Sequence, residues 1–437
     1  MEELLLGALI AIVFGMIAWA MRTPDRMYQF PSLCAFVYAG FILPHALSLY
    51  QWNAELPAGA LERVLLFAIL ALGTITYAFH AARGISIGPA TVLKYDSGTL
   101  LCFAYSAAAI GLFFFWQLHR LGIDTRNQAW TGLPVVYLYF GKFFFYGFAI
   151  LLLVGLHTRN RLALACAFLC GAFALARILI YFRRSELLEF LVVAAFPVYF
   201  HRRWRVPRAA ILTAAAILPL LIASGHEYRY TVQSRQGLDI GASTRIDYLD
   251  NFFTKAFRHR KTEIENAAMR MAAIAKTGEY TLGLHYWNDF IQSVIPGTLV
   301  GPEFKRSLYL PLLHPDALAE RAFSYVGKAG ATNTGFVDAY WAFGYAGVLV
   351  FGLVAAAVGC CYKRAVRGDI AFQFYFVILS VDALHIITHT TSFFLFHAFH
   401  VCVLTAPVFW YAMRRRDAGV RCDRDAFLRL PIVRLHR

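Results

Sequence analysis

The sequence predicts an all-α polytopic membrane protein, with about eleven transmembrane helices and one large polar segment. Three observations predict it. The first is composition: of 437 residues, 59% are hydrophobic, and the mean hydropathy is +0.55. A soluble domain has too little interior for that much apolar surface. The second is spacing. Crossing the hydrocarbon takes roughly 20 predominantly apolar residues, and runs of that kind recur at 4–21, 28–50, 61–80, 98–117, 133–156, 162–182, 187–201, 209–224, 336–361, 370–387 and 392–413. The seventh and eighth are short and flanked by arginine. The third is charge. Alternate connections carry Arg22 and Arg26, Arg83 and Lys94, Arg159 and Arg161, Arg202 to Arg208, and Lys363 to Arg367, before a basic tail from Arg414.

Basic connections stay on the cytoplasmic side. The N-terminus, with Glu2 and Glu3, is then expected outside, and an odd number of spans puts the tail inside. The first run lacks a basic flank before it and a small-residue cleavage site after it, so it is expected to be a retained span. Four regions follow: an N-terminal bundle of about eight spans over 1–224, a polar segment over 225–334, three C-terminal spans over 335–413, and a basic tail over 414–437. About half of the lysines and arginines sit in the inside connections and tail, where they fix topology and meet anionic lipid. The net charge of +15 therefore gives no reason to expect nucleic acid. None of the eight cysteines falls in the polar segment, so no disulfide framework is expected.

At about 110 residues the polar segment far exceeds an ordinary connection, and loops that long are usually functional. Arg229, Arg235, Arg245, Lys255, Arg258, Arg260 and Lys261 crowd its first third. Over 262–277 the text TEIENAAMRMAAIAKT puts Ile264, Ala267, Met271 and Ile274 on one helical face, with Glu263, Arg270 and Lys276 mostly elsewhere. That pattern predicts an amphipathic helix lying along the interface or capping the bundle. Tyr286 and Trp287, further on, suit the membrane–water boundary.

Three constellations could carry chemistry. The first is ARILIYFRRSELLE, residues 176–189. Arg177, Tyr181 and Arg184 share a helical face, Arg183 and Arg184 close the sixth span, and Glu186 and Glu189 open the seventh. Ionised groups at membrane depth are costly and by default functional. One reading is a salt bridge from Arg177 or Arg184 to Glu186 or Glu189, locking two helices. The other starts from the surplus of guanidinium, to which Arg245, Arg258 and Arg260 add. Arginine presents a fork of donors that fits phosphate oxygens, so these six arginines are candidates to bind a phosphate or diphosphate. The second constellation, Asp382, His385 and His389 on the tenth span with His397 and His400 on the eleventh, reads as polar lining of a cavity. A metal site is the sharper alternative, but the donor set matches no metal signature. The third is GFVDAYWAFGYAG, residues 335–347. Its Asp338 either pairs with an arginine or acts as a general base. Glu186 and His259 are further candidates for a base or an orienting group.

These residues resemble the bacterial oligosaccharide repeat-unit polymerases, the Wzy or O-antigen polymerase family. RRSELLEFLVVAAFPVYFHRR is similar to that family's Arg-Ser-Glu motif, followed by a span and a basic stop. The large segment before the last three spans, with its SVIPGTLVGPEFKRSL end, resembles theirs. GFVDAYWAFGYAG resembles their carboxylate, Tyr and aromatic-Gly motif, with Asp338 where the family usually has Glu. The likeness covers roughly the C-terminal 60% of the chain, from about Leu162. It implies a C-type glycosyltransferase-like fold with one large extracytoplasmic loop. The implied enzyme joins undecaprenyl-diphosphate-linked repeat units at the outer face of the inner membrane, making O-antigen, capsule or exopolysaccharide. It uses neither nucleotide sugar nor metal nor other cofactor. Implied partners are undecaprenyl-diphosphate-linked glycans, membrane lipid and a chain-length regulator, with no nucleic acid. The rival readings are an O-antigen ligase with lipid A core as acceptor, a lipid-linked oligosaccharide flippase, and a metal-dependent membrane hydrolase or hydroxylase using the Asp382 and histidine set. The odd span count and the long segment oppose the flippase.

Overall fold

The computed structural model describes the chain apart from residues 52–55, 86–91, 122–132, 182–183, 203–206, 208, 210–212, 214–219, 221–223, 225–226, 229–232, 235–236, 239, 258–262, 296, 328–333 and 429–437. Only the backbone is described at 181, 184–185, 202, 233–234, 237–238, 240, 242–243, 252, 255–257, 298–299 and 415–428. The described chain is helical throughout, except for connections and one pair of two-residue antiparallel strands, Gln233–Ser234 and Gly237–Leu238.

Among the described residues, nine helices are long and apolar enough to cross a membrane. The first six are α1 (Glu2–Arg22), α2 (Phe30–Gln51), α3 (Ala60–Ala82), α4 (Ser97–Arg120), α5 (Leu133–Thr158) and α6 (Arg161–Tyr181). Then come α7 (Arg184–Arg202) and, within the polar segment, α8 (Tyr248–Phe257), α9 (Glu263–Thr277), α10 (His285–Val294) and α11 (Pro315–Phe323). The last three spans are α12 (Gly335–Phe343) continued by α13 (Val348–Val366), then α14 (Ile370–Thr388), then the first part of α15 (Thr391–Leu428). The protein is membrane-embedded. These nine coincide with nine of the eleven apolar runs. The run at 187–201 forms α7, which packs beside α5, α6 and α14. Arg184, Glu186, Glu189 and Arg202 take it out of the apolar class. The run at 209–224 lies almost wholly outside the described residues.

Burial distinguishes the centre from the rim. Of the spanning window, 89% is buried in α14 but only 22% in α1. So α14 is the axis, and α1 presents most of its surface to lipid. Small residues set the spacing, because helices in lipid associate through close backbone approach. A Cβ at Gly352 or Gly359 of α13 would lie 2.7 Å from Thr74 Cγ2 or Phe79 O of α3. The basic end is fastened by Asp369. It caps α14, accepts from Arg364 Nη2 at 3.0 Å and takes the Tyr95 hydroxyl at 3.2 Å.

The polar segment docks on the opposite end. α9 packs against α2, α3, α11 and α12. It is buried on nearly every side, not on a single apolar stripe: Asn266 and Arg270 are as enclosed as Ile264 and Met271. The reason is compositional. Its alanines are too small to define a broad apolar face, and the buried Asn266 and Arg270 side chains each make a hydrogen bond through one atom, while Asn266 Nδ2 and Arg270 Nη1 make none. Tyr325 donates to Asn266 Oδ1 at 2.5 Å, and Arg270 Nε donates to Asp316 at 2.5 Å. α9 therefore caps the bundle. Beyond it, the Thr281 amide donates to Trp341 O at 2.9 Å. That bond fixes the start of α10 to α12.

Candidate functional site

Asp338 stands in the first turn of α12, whose residues from Gly335 to Ala342 are all buried. Gly335 decides its position. Any Cβ there would overlap the carbonyl oxygen of Ile386, so only glycine lets α12 lie against the end of α14. That approach carries Asp338 to the start of α15. The amide of Thr391, one of the unpaired donors at a helix N-terminus, donates to Asp338 Oδ2 at 2.8 Å, and the Thr391 hydroxyl donates to the same oxygen. With that proton committed, the Tyr286 hydroxyl 2.7 Å away donates to Thr391 Oγ1. A carboxylate at a helix N-terminus is further favoured by the helix dipole.

The second carboxylate oxygen, Oδ1, lies 3.0 Å from Nε2 of His285. His285 is only 2% exposed. Its ring stacks on Trp341, 4.6 Å between centroids at 27°, and its Nδ1 is 2.7 Å from Thr281 Oγ1. Asp289 follows one turn later on α10, beside Asp338 and His285. Burial, and then the charge of Asp338, push its carboxyl above the ordinary carboxylate range. The same two causes raise the Tyr286 phenol. One donor atom from each of His285, Asp289 and Asp338 falls within 4.8 Å of the others. Two carboxyls, one of which retains its proton more readily, and an imidazole can exchange protons with a substrate hydroxyl. They can also hold a cation.

A second polar network lies within the spans. Arg177 donates through Nη2 to Glu186 Oε1 at 2.9 Å and through Nε to Oε2 at 3.3 Å. Its guanidinium also covers the Phe115 ring at 3.6 Å. The geometry is that of a helix-locking salt bridge between α6 and α7, with both Glu186 oxygens engaged. Near the same helix, Lys142 Nζ lies 2.8 Å from His397 Nδ1, and His397 Nδ1 lies 3.0 Å from Asp382 Oδ1. Glu189 feels the charges of Lys142, Asp382, Glu186 and Arg177, which links the two pairs. His385 is buried near Asp382, with both ring nitrogens lacking hydrogen bonds. His389 ends α14 with its Nδ1 2.8 Å from Thr388 Oγ1, and His400 packs edge-on against Tyr139. Among the described residues this histidine set forms no cluster with metal-ligand spacing.

The other sequence candidates are less placed. Arg245 closes a short turn, Ile240–Arg245, with an exposed side chain. Arg184 opens α7, but its side chain lies outside the described residues, as do Arg183, Arg258, His259 and Arg260 entirely. Sequence reasoning missed His285, Asp289, Lys142 and the Thr391–Ser392 pair. A signal existed for the first two: in LHYWNDF they are four apart, which places both on one helical face. No protein-family model matches the chain, and no curated protein or solved structure matches it either. The likeness to repeat-unit polymerases rests on the motifs quoted above.

Proposed function

We propose that the protein is a polysaccharide polymerase of the inner membrane, extending undecaprenyl-diphosphate-linked glycans at the periplasmic face. One observation supports this reading above the others. Among the described residues, the Asp338 of the polymerase-like GFVDAYWAFGYAG stretch pairs with no arginine and clusters with His285 and Asp289. That cluster sits where the polar segment docks on the ends of the spans. In the reaction, an acceptor hydroxyl oxygen bonds to the anomeric carbon of the growing glycan. The bond from that carbon to the diphosphate oxygen breaks. The hydroxyl proton passes to the carboxylate of Asp338, and the electron pair leaves with the lipid diphosphate. Thr391 aims the Asp338 carboxylate, while Asp289 hydrogen-bonds the sugar. Arg183, Arg184, Arg245, Arg258 and Arg260 are the proposed counter-charges for the leaving diphosphate. Arg177 takes a positioning role, because Glu186 occupies two of its donors.

The orientation proposed is N-terminus periplasmic and C-terminus cytoplasmic, as the basic connections require. Glycan from a strain carrying Asp338→Asn tests the reading. The expected product is a single repeat unit on otherwise normal acceptor, with the protein inserted at wild-type abundance. Arg184→Ala should give the same pattern. A normal ladder of chain lengths in Asp338→Asn overturns the proposal. Complete loss of glycan from the acceptor would mark a ligase, and carrier-linked units accumulating on the inner leaflet would mark a flippase.

A further inference from the structure

We infer that His285, Asp289 and Asp338 form a binding site for one divalent first-row transition cation, zinc or manganese. The inference stands on local geometry and holds whether or not the protein transfers glycans. It departs from the polymerase likeness, which implies a reaction without metal.

The geometry carries the argument. Nε2 of His285 is buried, takes part in no hydrogen bond and faces Asp338 Oδ1 at 3.0 Å. Thr281 Oγ1 lies 2.7 Å from Nδ1 and 3.3 Å from Trp341 O. In the tautomer that carries its proton on Nδ1, Nε2 turns a lone pair to the carboxylate oxygen, and a cation bound by both replaces repulsion with ligation. Asp289 supplies the third donor, one helical turn from His285. Two of the donor residues also carry the kind of outer partner that orients metal ligands: Thr281 for His285, and Thr391 on the far oxygen of Asp338.

The donor set selects the ion. Magnesium and calcium favour all-oxygen shells, whereas one imidazole with two carboxylates suits zinc or manganese and leaves positions open for substrate oxygens. A cation there would put fixed positive charge where a lipid diphosphate or a sugar hydroxyl arrives.

The test uses the full chain purified in detergent and stripped with chelator. Zinc is titrated in competition with a chromophoric chelator, and manganese is followed by loss of the free-ion spin-resonance signal. One equivalent should bind. His285→Ala and Asp289→Asn should each weaken binding by on the order of 10²-fold, and Thr281→Val by on the order of 10-fold. Asp289 makes no ion pair among the described contacts, so Asp289→Asn keeps the test informative if His285→Ala does not fold. Failure of the wild type to bind either ion stoichiometrically, or unchanged affinity in Asp289→Asn, overturns the inference. The two proposals can fail separately. Stoichiometric binding by a protein that extends no glycan sinks the polymerase reading alone. Full extension by a protein that binds neither ion stoichiometrically sinks the cation site alone.

Discussion

The protein keeps ionisable groups in two places and treats them differently. Deep in the bundle, Arg177 is matched by Glu186 with two hydrogen bonds and an aromatic lid, while Lys142, His397 and Asp382 run in a row between helices. At the end that receives the polar segment, two carboxyls and an imidazole sit together with hydroxyl groups as their main support and no guanidinium pairing them among the described contacts. The first pattern cancels charge and the second conserves it. Lipid explains the difference. At depth an uncompensated charge costs several kcal/mol or more, so pairing dominates. At the end that receives the polar segment, substrate can complete the balance, and a site can hold unspent charge for chemistry. Charged residues in a membrane chain are thus functional suspects by default, but geometry sorts the structural ones from the reactive ones.

Mutation of each region should break this comparison in its own way. The largest effect belongs to the boundary site. Asp338→Ala should lower glycan extension by on the order of 10²–10⁴, as loss of a general base does, and should also lower the melting temperature because the buried Thr391 donors lose their acceptor. Next comes the interior. Arg177→Met removes both of these hydrogen bonds from buried Glu186 and should destabilise the protein by about 3–5 kcal/mol, read as lowered yield and melting temperature. The double variant Arg177→Met with Glu186→Leu should recover most of that loss, because two apolar groups replace a pair that was costly to bury. An unrecovered double variant would mean that the pair does more than lock helices. If Arg184 meets the diphosphate, Arg184→Ala costs on the order of 10²–10³ in extension rate without change in melting. Thr391→Val removes one donor to Asp338 but keeps the amide, and should slow extension about tenfold, or about 1.4 kcal/mol. The smallest change is Phe115→Leu. Loss of the ring under Arg177 should cost about 0.5–2 kcal/mol of stability and leave extension intact.

Much of the bundle was legible because lipid imposes a simple rule: twenty apolar residues, then a break. Nine runs became helices within a few residues of their expected ends. The rule gave way at α7, where Glu186 and Glu189 occupy a helix whose neighbours supply their counter-charges. Asp338 could be singled out, since a carboxylate in an apolar stretch demands a reason. Its partners could not. His285 and Asp289 lie about 50 residues before it, and Thr391 53 residues after it. Only the close seating of Gly335 on the end of α14 brings the three stretches together. A helical period reports which residues share a face and says nothing about which faces meet. Lys142 escaped for a related reason. One lysine in an aromatic run reads as a break, and its meaning comes from His397 on a helix more than 250 residues away.

The most direct test is reconstitution. The purified protein is placed in liposomes with polyprenyl-diphosphate-linked repeat units isolated from the same strain, and the mass of the lipid-linked glycan is followed with time. The account predicts growth in whole repeat units, one polyprenyl diphosphate released for each unit added, and no growth with Asp338→Asn. Wild-type protein that releases no carrier, or an Asp338→Asn variant that extends glycan at the wild-type rate, would contradict it.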